Sequence, residues 1–181
     1  MTYAGDCSEE GRVGVLFDYY RAADREAAMV LPELGRAGNR RMPEGQGFDA
    51  VDAKGIEPAV ILGQLIGLIQ GVPWSVGLVE MVEIYPPSEG APRTEEEWEA
   101  LPPDSPFLDG PGIEELSAAV RDTLADVDHG RMAELAEQWA GIEEFDGRAD
   151  AELLRGVIEE LVGLARRAKE SGQLLYCWTL V

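Results

Sequence analysis

The sequence predicts an α+β fold, a small mixed or antiparallel sheet with helices packed against it. Three observations predict it. An aromatic, β-branched run lies near the start, an almost unbroken apolar run closes the chain, and amphipathic helical patterns fill the space between. Strand and helix signals do not alternate as a parallel βαβ sheet requires, so segregated elements fit better. With 181 residues and a hydrophobic fraction of 45%, the chain can bury an ordinary core and is too apolar for disorder. A flexible segment is expected over 1–12, then one domain over 13–181.

Val13 to Tyr20, VGVLFDYY, reads as the first strand. Asp24 as cap, Ala27, Ala28 and Leu31 at helical spacing and Gly35 as stop predict a short helix from Asp24 to Leu34. Gly35 to Gly47, with Arg36, Arg40 and Arg41, lacks periodicity and reads as a loop. Phe48 to Ala53 is a short strand or an extended lead-in. A helix from about Ile56 to Gln70 has Pro58 in its first turn and Val60, Ile61, Leu65, Leu68 and Ile69 on its buried face. Gly71 ends it and Pro73 prevents continuation.

Leu78 to Tyr85 carries a carboxylate on each face and so reads as an edge or peripheral strand. Seven prolines between Pro86 and Gly112 exclude regular structure there, apart from one helical island. In that island Thr94 and Glu97 form a capping box ahead of Trp98 and Leu101. Ile113, Leu116, Val120, Leu124 and Val127 predict an amphipathic helix. A second, capped by Asp128, presents Met132, Leu135, Ala136 and Trp139, and a third runs from an Asp150 cap to Gly172. Leu174 to Val181, LLYCWTLV, is expected to be a central strand covered on both faces, pairing with the first strand.

Thirty-five acidic against fifteen basic residues give a formal charge of -20. That surplus repels nucleic acid and anionic membranes and favours a basic protein partner. The longest apolar stretch, Ile56 to Ile69, falls short of the roughly 20 residues that span a bilayer. The first residues lack a signal-peptide pattern, so a cytoplasmic location is expected. Cys7 and Cys177 are expected to be free or buried thiols. His129 is the only histidine, which excludes a triad or a His-rich metal site, and it reads as an exposed neighbour of the Asp128 cap. Three-residue spacing on a strand puts the members of Asp49/Asp52 and of Glu80/Glu83 on opposite faces, against a paired-carboxylate site. Glu114 and Glu115 read as N-terminal helix charges. No metal or cofactor is expected.

Between residues 91 and 115 eight acidic groups face Arg93 alone, a balance of -7. Glu95, Glu96, Glu97, Trp98, Glu99, Asp104 and Asp109 therefore form the candidate interface, stiffened by the proline-rich acidic loop 86–112 that carries them. The leading reading is a non-enzymatic acidic binding protein, such as an immunity-type inhibitor of a basic toxin or nucleic-acid-binding protein. The alternative is a small-molecule binder or enzyme with a pocket between the 56–70 helix and the sheet, using Tyr20, Arg21, Trp74 and a carboxylate, although the same aromatics also suit a core. A homo-oligomer is left open.

The segments VLFDYYRAADREAA, FDAVDAKGIEPAVILGQLIGLIQGVPWS and LLRGVIEELVGLARRAKESGQLLYCWTL are similar in layout to actinobacterial proteins and, more distantly, to the YfbM-like bacterial family. The resemblance covers most of the chain. It implies a bacterial cytoplasmic protein and brings no catalytic motif.

Overall fold

A computed structural model describes residues 15–30, 48–108 and 111–180. The expected flexible segment 1–12, the end of the predicted first helix, the 35–47 loop, Cys7 and Asp109 lie outside the described residues. Among the described residues the fold is α+β, built on a five-stranded antiparallel sheet in the order β2-β1-β5-β4-β3. The strands are β1 (Leu16–Ala22), β2 (Ala50–Asp52), β3 (Met81–Tyr85), β4 (Gly112–Leu116) and β5 (Leu174–Leu180). The helices are α1 (Arg25–Ala28), α2 (Gly63–Gln70), α3 (Glu95–Glu99), α4 (Ala118–Ala125), α5 (Met132–Ala140) and α6 (Ala151–Glu170).

The apolar run of β5 has the central place its composition predicts, paired with β1 from Leu16↔Leu180 to Ala22↔Leu174 and with β4 on its other side. Successive residues point to opposite faces, and both faces are covered. Leu175 and Cys177 join Phe17, Tyr19, Val51 and Leu116 beneath the helices. Tyr176 and Trp178 join Tyr20, Ala22, Ile84 and Ile113 in a second cluster, closed in part by Ala28 of α1.

Helix α6 packs on β1, β2 and β5 and against α4 and α5, while α2 packs on α4 and α5. Its buried stripe, Leu154, Ile158, Leu161, Leu164, Ala165 and Ala168, follows the predicted periodicity. Asp150 Oδ1 caps it, accepting from Glu152 N at 2.8 Å. Arg166 reaches from α6 to the end of α4, donating to Ala125 O at 2.9 Å and Val127 O at 2.6 Å, so one side chain satisfies two carbonyls. Asp128 caps a short 3₁₀ turn ahead of α5, and His129 is exposed in it.

Three elements depart from expectation. The predicted helix from Ile113 is a strand followed by a helix, β4 and then α4, with Ser117 Oγ accepting from Val120 N at 3.4 Å as the cap between them. A three-residue spacing puts Ile113 and Leu116 on opposite faces of a strand, and both faces are buried here. The helical spacing is thus met by a doubly covered strand, and Glu114 and Glu115 are strand residues instead of helix-start charges. The predicted strand from Leu78 starts only at Met81, and a register shift between Glu83 and Tyr85 interrupts its pairing with β4 at the sheet edge. The predicted first helix is only α1, capped by Asp24 Oδ1 at 2.8 Å from Ala27 N, and Met29 and Val30 no longer belong to it.

The helix around residues 56–70 is real but not α-helical throughout. It begins as a π-helical turn, Pro58–Leu62, and continues as α2, ending at Gly71 with φ +70°. Its deepest residues are Leu62, Leu65 and Ile66 with Gly63 and Gly67, while the predicted face residues Ile61, Leu68 and Ile69 are partly buried against the same core. A Cβ on Gly63 would lie 2.7 Å from Trp74 Nε1. Gly63→Ala is therefore expected to cost about 1–3 kcal/mol of stability, with Tm falling by roughly 3–10 °C in a thermal melt. An unchanged Tm would show that Trp74 is not seated on this notch.

Candidate functional site: a carboxylate pocket under an acidic segment

The proline-rich segment folds back over one end of the helix-bearing sheet face. Thr94 Oγ1 accepts from Glu97 N at 3.2 Å and starts α3, while the Glu97 carboxylate accepts from the backbone N–H of Arg93. Glu97 reaches one residue further back than in a standard capping box. Ser105 is buried, with its N–H bonded to Pro102 O and its carbonyl to Leu108 N, which fixes the turn carrying Pro106 and Phe107.

Beneath this segment lies a pocket of about 550 Å³. Its floor is Phe17 of β1, Thr179 of β5, Gly112 and Glu114 of β4 and Glu83 of β3. The strand register places these side chains. Phe17, Thr179 and Gly112 form one row across three strands, and Tyr19, Cys177, Glu114 and Glu83 form the next row across four. Glu57 and Pro58, at the start of the π turn, make one wall. Trp98, Pro106 and Phe107 face the floor from the proline-rich side.

The electrostatics follow from this crowding. Burial, then the Glu57 and Glu83 carboxylates, push the Glu114 carboxyl above its ordinary range. Glu57 is held by two backbone donors, Ala59 N and Val60 N, each at 2.7 Å, as the cap of the π turn. The inner end of the Glu114 row is sealed. Tyr19 is fully buried and donates to Ile56 O at 2.7 Å, and burial raises the pKa of both Tyr19 and Cys177, so the Cys177 thiol keeps its proton. A protonated, enclosed thiol is a poor nucleophile. Among the described residues no group of three His, Cys, Asp or Glu side chains is arranged to hold a metal ion.

The expected interface residues are only partly brought to this site. Glu95, Glu96, Glu97, Glu99 and Asp104 are all exposed. None of the five enters an ion pair with a described residue. Trp98 is 46% exposed and stands at the pocket rim, bridging the acidic helix and the cavity. Residues 55 to 120 hold one basic and twelve acidic side chains, a balance of -11. Among the described residues Arg25 pairs with Glu115 of this stretch (2.8 Å), while other basic side chains pair outside it, as in Arg167–Asp49 (2.6 Å) and Lys169–Asp126 (2.7 Å).

The expected trio Tyr20, Arg21 and Trp74 is not brought to this pocket. Tyr20 lies on the opposite sheet face, its hydroxyl donating to Ala28 O at 2.9 Å and its ring against Phe48 and Tyr176. Adjacent strand residues point to opposite faces, so Arg21 parts from it. Arg21 donates to Asp49 Oδ2 at 2.7 Å and Gln173 Oε1 at 2.6 Å. Trp74 Nε1 donates to Ala59 O at 3.0 Å, closing the turn after α2 onto the π segment. Asp49 is thus an arginine partner, its carboxyl held below the ordinary range by Arg167 and Arg21, while Asp52 stands opposite Asp18 in the β1–β2 ladder. The pocket residues missed from the sequence are Glu57, Glu83 and Glu114, together with Phe17 and Phe107. Glu57 immediately before Pro58 and a helical pattern was the one local signal, since an acidic residue there can cap the turn.

The fold and site define an α+β protein with a carboxylate-lined pocket under an exposed acidic segment. No protein-family model, no curated protein and no solved structure matches the chain. Among the described residues no helix is long and apolar enough to cross a membrane.

Proposed function

We propose that the chain is a non-enzymatic binding protein that docks a basic protein partner on the acidic, proline-rich segment, in the manner of an immunity-type inhibitor. The observation that carries this reading is the set of exposed carboxylates, Glu95, Glu96, Glu97, Glu99 and Asp104, which have no ion-pair partner among the described residues and surround a half-exposed Trp98. Unneutralised charge of one sign steers an oppositely charged partner and raises its association rate, and a rim aromatic supplies apolar contact once it arrives. The likeness of layout to YfbM-like proteins adds no residue to this reading.

The test uses three baits in a low-salt lysate of the source cell: the native chain, a variant with Glu95, Glu96, Glu97 and Glu99 changed to Lys, and a control with Glu134, Glu137, Glu160 and Glu170 changed to Lys. The control carries the same charge change away from α3. A basic protein retained by the native chain and the control but lost from the first variant is the expected result, with its association rate lowered about tenfold or more and steeply salt-dependent. Equal retention by all three baits, or binding insensitive to salt, removes α3 as the docking surface.

A further inference from the structure

We propose that the pocket beneath the acidic segment is a binding site for an alkylammonium group, a protonated amine on an aliphatic shaft. Its test uses small amines alone, so its outcome is independent of the docking reading above. The register sets Glu83 and Glu114 side by side on adjacent strands, both facing the cavity, with Glu57 across from them. Among the described residues no hydrogen bond or ion pair engages the Glu83 or Glu114 side chain, and no basic residue lines the pocket. The cavity therefore presents the Glu83 and Glu114 carboxylates with no cation beside them among the described residues, while that of Glu57 is held by the π turn.

The remaining lining selects the kind of cation. The rings of Phe17, Trp98 and Phe107 line the cavity and supply apolar area, which suits an alkyl shaft better than a hydrated ion. The carboxylates are not arranged as a metal-coordinating group. Gly112 leaves the floor open, since a Cβ there would meet nothing closer than Thr179 Cβ at 3.9 Å, so a larger residue would fill the cavity without forcing the sheet apart. A free aliphatic amine and a protein lysine share this chemistry.

The protonation of Glu114 gives the site a pH dependence. Glu114 faces Glu57, Glu83, Cys177 and Tyr19, and of these the thiol and the phenol keep their protons. Only the ionised carboxylate attracts an ammonium group. Affinity should therefore fall as pH is lowered through the raised Glu114 value, and binding at a pH near that value should release protons.

Calorimetric and NMR titration with n-butylammonium, N-acetyl-lysine methylamide, n-butanol and Ca²⁺ tests the site. The two amines are expected to bind with dissociation constants of about millimolar order, as ligands so small allow, and n-butanol about tenfold more weakly or worse. Glu114→Gln and Gly112→Val should each weaken amine binding about tenfold or more, while circular dichroism and a cooperative melt show them folded. Binding of both amines points to a lysine side chain as a natural occupant, and binding of n-butylammonium alone points to a free amine. Either result supports the site. The proposal is overturned if the native chain binds n-butylammonium no better than n-butanol, if Ca²⁺ occupies the pocket as tightly, or if either folded variant binds like the native chain. Failure here leaves the three-bait experiment on α3 to be decided by its own result.

Discussion

A chain ending at Leu175 is expected not to fold. Strands β1 and β4 do not pair with each other, and β5 holds them together through a ladder with each. Removing residues 176–181 would divide the sheet into two isolated pairs, β2 with β1 and β4 with β3, and two-stranded units are marginal in water. The same cut takes away Tyr176, Cys177 and Trp178, all buried, and Leu180, which packs against the second cluster. At about 1.5–3 kcal/mol for each large side chain, with the ladder hydrogen bonds in addition, the loss rivals the whole stability of about 5–15 kcal/mol expected of a domain. Far-UV circular dichroism and limited proteolysis would show the truncated chain without a cooperative transition and rapidly digested. A truncated chain that melted cooperatively near the native Tm would show that β5 is not the strand on which the sheet depends.

The elements that the sequence made legible are those whose pattern admits one burial geometry. Helix α6 has a capped start, cations near its end and a sustained 3.6-residue stripe, so its boundaries and its buried face both follow. The run Leu174 to Leu180 is apolar at every position but Thr179, which only a doubly covered strand accommodates over so short a length. Residues 112–116 were illegible for the opposite reason. With Ile113 and Leu116 three apart, an amphipathic helix and a strand buried on both faces make the same pattern, and the decision came from tertiary contact with β5. The deepest residues of the π turn and α2 were hidden because apolar neighbours surround them in the sequence.

The exposure of the acidic segment was legible and the carboxylate pocket beneath it was not. A run of glutamates with one arginine nearby, set among prolines that prevent compact regular structure, announces solvent exposure locally, and the five described carboxylates are exposed. Glu57, Glu83 and Glu114 carry no such local mark. They converge because β4 is a strand, because its register with β3 sets Glu83 opposite Glu114, and because Pro58 starts the π turn beside the same sheet end. Once Ile113 to Val127 is read as a helix, Glu114 becomes a charge at a helix start and the convergence cannot be seen. The Tyr20, Arg21 and Trp74 trio failed for a related reason, since adjacent residues of a strand cannot face the same cavity.

Trp139→Ala is expected to be the most damaging single substitution in the helical layer. Trp139 is fully buried on α5, its ring meets Phe145 edge-on at 5.7 Å, and its Nε1 donates to Ile61 O at 2.9 Å. Ile61 belongs to the π turn, where Trp74 likewise donates to Ala59 O, so two indoles bind carbonyls of the turn that Glu57 caps. Truncation to Ala removes the largest fully buried side chain among the described residues and leaves a cavity together with a carbonyl deprived of its indole donor. The expected cost is about 3–5 kcal/mol by urea denaturation, a third or more of a typical stability. Trp139→Phe separates the two contributions, because it restores much of the ring volume without the N–H and should cost about 1–3 kcal/mol, the scale of an unsatisfied buried acceptor with a smaller void. If Phe costs as much as Ala, the hydrogen bond to Ile61 holds the π turn and packing is secondary. If Ala costs less than about 1 kcal/mol, Trp139 does not join α5 to the turn that forms the wall of the pocket.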